Sequence, residues 1–141
     1  MPIKTAIVGA SGYSGEELIR LLAGHPGVEL SAVTSRSLAG KPVVTHLPRF
    51  HGILPADFCF TASEPEALAA DSSLDLVFLA LPHGVAATYA TALVKAGKRV
   101  IDLSADFRLN SADTYAEYYG APHPCPELLS KAAYVIPEVS P

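Results

Sequence analysis

Tryptophan is absent from the 141 residues, methionine occurs once, as Met1, and there are only two cysteines, Cys59 and Cys125. Two cysteines are too few for the disulfide framework that holds small secreted domains together, and they fit a reducing cytoplasm. Charge is also scarce. Ten basic and fourteen acidic residues make up 17% of the chain and leave a net charge of −4, with no block of either sign. That composition excludes a disordered polyelectrolyte. It also argues against nucleic acid as a partner, because phosphate backbones are held by clustered Lys and Arg. No apolar run approaches the roughly 20 residues that cross a bilayer, and Met1-Pro2-Ile3-Lys4 leads into a strand pattern without the regions of a signal peptide. What remains is a chain that is half apolar and of a length suited to one hydrophobic core. The expectation is a soluble, cytoplasmic chain of the α/β class that engages no membrane.

The pattern along the chain supports that class. Ile3–Val8 is short, apolar and β-branched and stops at Gly9, as suits a strand buried on both faces of a parallel sheet. From Ser14 the period becomes helical through Leu18, Ile19, Leu21 and Leu22, with Glu16 and Glu17 in the first turn and His25-Pro26-Gly27 as the stop. Residues 28–34 form a second strand candidate, which completes a βαβ unit. Residues 35–55, broken by five Gly and Pro residues, read mostly as loop, residues 58–61 as a short strand and Pro65–Ala70 as a short helix. An apolar strand at residues 74–81 ends in Pro82-His83-Gly84, and a helix with Val85, Tyr89, Ala92, Leu93 and Ala96 on one face closes at Gly97. Residues 99–103 form a further strand. About residues 109–141, with Pro122, Pro124 and Pro126, read as a turn-rich connector that runs to Pro141. Together these elements imply a Rossmann-like, doubly wound, mostly parallel sheet with helices on both faces.

Gly9-Ala10-Ser11-Gly12-Tyr13-Ser14-Gly15 lies between the first strand and the first helix, the context in which glycines at this spacing carry meaning. Gly9 permits a tight turn, Gly12 lets the backbone approach a pyrophosphate, and Gly15 lets the helix pack close to the strand. The amides opening the helix then face the phosphates. The bland alternative is a glycine-rich turn that binds nothing. At the end of the second strand an NAD site usually has Asp or Glu for the ribose hydroxyls. Here Thr34-Ser35-Arg36-Ser37 stands instead. Arg36 can pair with a 2′-phosphate and the hydroxyls of Ser35 and its neighbours can add hydrogen bonds, which favours NADP(H). The alternative is a solvated loop arginine.

Ligands of doubly wound sheets sit beyond the carboxyl ends of strands, so two further segments count. Leu81-Pro82-His83-Gly84 offers His83, more readily positional than an acid–base group. In Asp102-Leu103-Ser104-Ala105-Asp106-Phe107-Arg108, Arg108 can clamp an anion, or else pair with Asp102 or Asp106. His46 and His51 lack a third ligand, so no metal is expected. Cys125, in His123-Pro124-Cys125-Pro126, has no oxyanion-forming turn beside it and is not expected to be a nucleophile, and Cys59 is expected to be inert in a buried strand.

The glycine loop, Phe78-Leu79-Ala80-Leu81-Pro82-His83-Gly84 and the segment from Asp102 to Arg108, at their mutual spacing, resemble N-acetyl-γ-glutamyl-phosphate reductase of arginine biosynthesis. The resemblance covers nearly the whole chain, and aspartate-semialdehyde dehydrogenase is the nearest relative. Tyr134-Val135-Ile136-Pro137-Glu138 resembles that family's Tyr-Gly-Leu-Pro-Glu segment, with Val135 in place of glycine. The resemblance implies NADPH-dependent reduction of N-acetyl-L-glutamyl 5-phosphate to the 5-semialdehyde: a cysteine thiolate displaces phosphate and hydride then reduces the thioester. It implies a cofactor site made by Gly9, Ser11, Gly12, Tyr13, Ser14, Gly15, Ser35, Arg36, Leu81, Pro82 and His83, with Ser104 and Arg108 at the acyl-phosphate end. The family's cysteine lies in a Gly-Cys-Tyr-Pro setting past the Pro-Glu segment, and the resemblance implies that its counterpart falls beyond Pro141. No catalytic residue is therefore expected within these residues. The expectation is a cofactor domain linked by the connector to a catalytic and dimerisation domain of a homo-oligomeric parent. Alone, these 141 residues are expected to bind cofactor without turnover. A stand-alone NADP-sensing module, or the cofactor domain of an enzyme closer to aspartate-semialdehyde dehydrogenase, are the competing expectations.

Overall fold

Side-chain alternation along β1 (Ile3–Val8) places Ala6 and Val8 in one apolar cluster and Ile7 in another, so both faces of the strand need cover. A computed structural model describes residues 1–139. The chain continues through α1 (Tyr13–Leu22), β2 (Val28–Val33), α2 (Val43–His46), a 3-10 turn at Pro48–Phe50, α3 (Pro65–Ala70), β3 (Leu76–Leu79), α4 (Ala86–Lys95), β4 (Arg99–Asp102), α5 (Ala112–Tyr119) and a 3-10 turn at Pro126–Leu128. The four strands are all parallel in the order β2-β1-β3-β4.

Leu18, Ile19 and Leu22 of α1 join Ile7, Val33, Val43 and Phe50 on one face of the sheet. Leu68 of α3 and Ala86, Tyr89, Ala90 and Leu93 of α4 join Ala6, Val8, Val77 and Leu79 on the other. Ile7, Ile19, Leu79 and Leu93 are fully buried, each contributing roughly 1.5–3 kcal/mol. The architecture is the doubly wound parallel sheet with helices on both faces. Because β1 turns back to β2 on one side while β3 and β4 extend the other, the order of strands reverses between β1 and β3. That reversal opens a crevice beyond their carboxyl ends.

Several local expectations need correction. Residues 58–61 form no strand. Thr61 and Cys59 make only isolated bridges, to Thr34 and Pro42, and Cys59 is half-buried rather than buried. The expected loop at residues 35–55 contains α2, whose Val43 and Val44 anchor it in the core. The third strand is shorter than expected at both ends, Leu76–Leu79 rather than residues 74–81. The segment from residue 109 is more than a connector. The Ser111 hydroxyl accepts the Thr114 amide at 3.3 Å to start α5, and Gly120, at φ +72°, ends it. Tyr115, His123, Cys125 and Leu129 of this segment are buried against the domain. The expected far end of the connector, Ser140 and Pro141, lies outside the described residues. The expectation that the family's cysteine falls beyond Pro141 lies outside them too.

Candidate cofactor site

The glycine loop sits at the topological reversal, and at two of its positions a side chain has no room. A Cβ on Gly9 would stand 2.3 Å from the Ala80 carbonyl oxygen, and φ is +80°, a conformation that side chains rarely adopt. One on Gly15 would lie 2.2 Å from the Gly9 oxygen and 2.6 Å from the Ala10 Cα, so the first turn of α1 packs directly on the backbone of the turn that follows β1. Gly12 differs. Its Cβ would meet only the Gly9 oxygen, at an ordinary 3.6 Å, in otherwise open space. It is the N-cap of α1 and no side chain caps that helix. The amides of Tyr13, Ser14 and Gly15 therefore open the helix toward the crevice, with no acceptor available inside it.

The other strand ends are tied to this loop. The Ser11 and Ser35 hydroxyls are hydrogen-bonded at 3.0 Å, and the Ser35 oxygen also accepts the Leu38 amide at 3.2 Å. The Ala10 amide donates to the Thr34 carbonyl at 3.0 Å. Arg36 is exposed beside this junction and takes part in none of the ion pairs among the described residues. Glu16 and Glu17, which would oppose an anion at the start of α1, are both engaged by Arg49 at 3.0 and 3.4 Å. Tyr13 projects into solvent at 94% exposure.

At the ends of β3 and β4 the decisive residue is Asp106, which its local sequence marked only as an alternative partner for Arg108. It is fully buried. Its carboxylate accepts the Gly84 amide at 2.7 Å, the Ala87 amide at 2.9 Å and the Tyr115 hydroxyl at 3.0 Å. The N-terminus of α4 is thus closed by an internal anion, whereas that of α1 is open. Arg108 pairs with neither Asp102 nor Asp106; it donates to the Leu103 carbonyl at 3.0 Å and is otherwise exposed. Ser104 is held by Asp102, its amide at 2.9 Å and its hydroxyl at 2.8 Å. Burial raises the Asp102 carboxyl while those Ser104 bonds pull it down, and the net shift is upward.

Leu81 touches the Gly9 position, while Pro82 and His83 are exposed, His83 with its ring 5.5 Å from that of Tyr119. The residues singled out from sequence thus share the carboxyl rim of four adjacent strands. A cavity of about 750 Å³ lies elsewhere, along β4 and the segment near Tyr134 and Val135; Ser104 and Arg108 border it, but no glycine-loop residue does. Cys125 is buried against the Ala87 carbonyl at 3.5 Å, and burial pushes its thiol up. It therefore lies beside the start of α4, nearer the rim than its proline-rich setting suggested. Among the described residues no three His, Cys, Asp or Glu side chains group as metal ligands.

Residues 4–141 match the family model described as semialdehyde dehydrogenase, NAD binding domain. The chain belongs to that family. It is 54% identical over 136 residues to N-acetyl-gamma-glutamyl-phosphate reductase of Akkermansia muciniphila, covering 96% of this chain and 39% of that one. It is 51% identical over 138 residues to the enzyme of that name from Nitrosococcus oceani, covering 98% and 39%. The chain therefore spans well under half of each relative's length. In fold it is similar to aspartate semialdehyde dehydrogenase from Candida albicans, solved with NADP (TM-score 0.62, 23% identity, 88% of this chain and 41% of that one). As a member of this family the chain is a dinucleotide-binding domain.

Proposed function

We propose that this chain is the NADP(H)-binding part of a reductase that converts N-acetyl-L-glutamyl 5-phosphate to N-acetyl-L-glutamate 5-semialdehyde in arginine biosynthesis. The observation that carries the reading is the uncapped N-terminus of α1 at the strand reversal, where Gly12 leaves the space of one side chain open. A pyrophosphate fits that donor set: three free amides, a helix dipole and two nearby carboxylates that are already paired, Glu16 with Arg49 and Glu17 with Arg20 and Arg49. Gly9, Ser11, Gly12, Tyr13, Ser14 and Gly15 would hold it. Ser35 and Arg36 would take the 2′-phosphate, and Leu81, Pro82 and His83 would border the nicotinamide half. When bound, the cofactor supplies hydride to the substrate carbon.

The remaining chemistry belongs to the chain. Arg108, exposed and without a carboxylate partner among the described residues, suits the leaving phosphate, and Ser104, fixed by Asp102, suits a substrate oxygen. Neither thiol suits nucleophilic attack. Cys125 is buried with its thiol pushed up, and Cys59 sits in the bridge to Pro42, on the β2 side of the sheet. On this reading the attacking cysteine belongs to a segment of the enzyme beyond Pro141. The same reading makes that enzyme a cytoplasmic homo-oligomer; no helix among the described residues is long and apolar enough to cross a membrane.

Calorimetric titration with NADPH and NADH tests the cofactor assignment. Arg36→Ala is expected to weaken NADPH by one to two decades, from a lost charge-assisted contact of ~1.5–3 kcal/mol, and to leave NADH nearly unchanged. Equal losses for both cofactors would overturn the assignment.

A further inference from the structure

Asp106 is a buried acid that no part of the proposed chemistry uses. Its three acceptor contacts come from separate places: the Gly84 amide in the turn after β3, the Ala87 amide in the first turn of α4, and the Tyr115 hydroxyl on α5. Its own backbone is held as well. The amide donates to the Ser104 hydroxyl oxygen at 3.1 Å, and its carbonyl accepts from His123 Nε2 at 2.6 Å. That direction follows from the other ring nitrogen, since His123 Nδ1 accepts the Cys125 amide at 3.0 Å. Asp106 is thus itself fixed, and it fixes residues 84–87.

We infer that Asp106, braced by Tyr115, is a positioning residue that sets the turn at residues 82–84 against the nicotinamide half of the bound dinucleotide. The inference rests on the cofactor reading above. The adenosine half lies toward β2, where Ser35 and Arg36 stand, and a dinucleotide spans the crevice at the strand reversal. Its other half must then extend past β3. The chain there contributes Pro82 and His83, both exposed, and neither side chain makes a hydrogen bond among the described residues. Their placement depends on Gly84, which sits at φ +81° in a turn closed by the long Val85 and Ala86 amide contacts to the Pro82 carbonyl, 3.3 and 3.4 Å, and by the shorter Asp106 contact to its own amide. A carboxylate accepts from all three donors at once. Gly84 and Tyr115 share one carboxylate oxygen and Ala87 takes the other, so an amide in its place turns an N–H group toward either the Ala87 or the Gly84 amide, and residues 84–87 lose one of their two anchors.

The full chain is titrated with NADPH and, separately, with adenosine 2′,5′-bisphosphate, which carries only the adenosine half. Asp106→Asn is expected to raise the Kd for NADPH about tenfold or more, and Tyr115→Phe about threefold or more. The Kd for the bisphosphate is expected to stay within about twofold in both, a split that general loosening of the fold would not produce. If Asp106→Asn does not fold, Tyr115→Phe decides alone. Equal weakening of both ligands, or unchanged NADPH binding, would overturn the positioning role. Wild-type protein that binds NADPH but not the bisphosphate would overturn the placement of the adenosine half instead.

Discussion

Two glycines three positions apart are expected to fail in opposite ways when given the same methyl group. At Gly15 the added Cβ meets backbone, 2.2 Å from the Gly9 oxygen and 2.6 Å from the Ala10 Cα. Neither atom can rotate away, so α1 must shift away from the turn that follows β1. Leu18, Ile19 and Leu22 would move with it, out of a core shared with Ile7, Val33 and Phe50. Overpacking of this kind costs ~1–3 kcal/mol. For a domain of this size that lowers Tm by roughly 4–12 °C. At Gly12 the backbone is extended, φ −85° and ψ 172°, and the Cβ finds only a 3.6 Å contact. Losing glycine at the N-cap costs a few tenths to about 1 kcal/mol, while the stiffer unfolded chain returns ~0.4–1 kcal/mol. The two nearly cancel, and Tm should move by less than about 3 °C. Binding reverses the ranking. The Gly12 methyl occupies the space offered to the pyrophosphate, so Gly12→Ala is expected to lose NADPH affinity by at least about tenfold, one lost charge-assisted contact or more. Thermal unfolding and calorimetric titration on both variants check this. Normal NADPH binding by Gly12→Ala would refute the reasoning, as would an unshifted Tm for Gly15→Ala.

Alkylation by iodoacetamide is expected to modify half-buried Cys59 well before Cys125, which is buried and whose thiol is pushed up. Rapid labelling of Cys125 would contradict that environment. On the proposed reading, whose nucleophile lies outside these residues, a polypeptide of these 141 residues should give a flat trace with N-acetyl-glutamate semialdehyde, phosphate and NADP, provided the sample binds NADPH; turnover abolished by Cys125→Ser would show the nucleophile misassigned. Burial, then the Asp106 contact, raise the Tyr115 hydroxyl from 10 to about 12. Its contribution to stability is therefore whole below pH 10 and lost as pH rises through 12, on the order of 2–3 kcal/mol. Spectrophotometric titration of tyrosinate should lose a step near 12 in Tyr115→Phe, and a curve unchanged by the substitution would contradict this environment.

Most of the sheet was legible because its strands are continuous apolar runs that stop at turn residues: Ile3–Val8 at Gly9, and Val28–Val33 shortly before Ser35. Gly9 and Gly15 could be read because the strand-to-helix context dictates which glycine must be small for which reason, and the contacts of both follow that logic. The misses have physical causes. Helix α5 is weakly amphipathic and buries Tyr115 alone, so periodicity did not mark it, although Ser111 before it and Gly120 after it carried cap signals that were available. Asp106 was obscured because its role is non-local. Its donors lie 9, 19 and 22 positions away in sequence, and nothing in the local run of Ser104 to Arg108 indicates them. The apolar run around Phe58 and Phe60 suggested a strand, but those side chains pack into the α1 face of the core without joining the ladder.

Amide chemical-shift mapping of the isotope-labelled chain during titration with NADPH tests the cofactor crevice most directly. The expected result is that the largest shifts fall on residues 11–15, 35–37 and 81–84, with little change along the cavity beside β4 and Tyr134. Shifts concentrated at Ile101, Leu103, Tyr134 and Val135, with Gly12 and Ser14 unmoved, would contradict it.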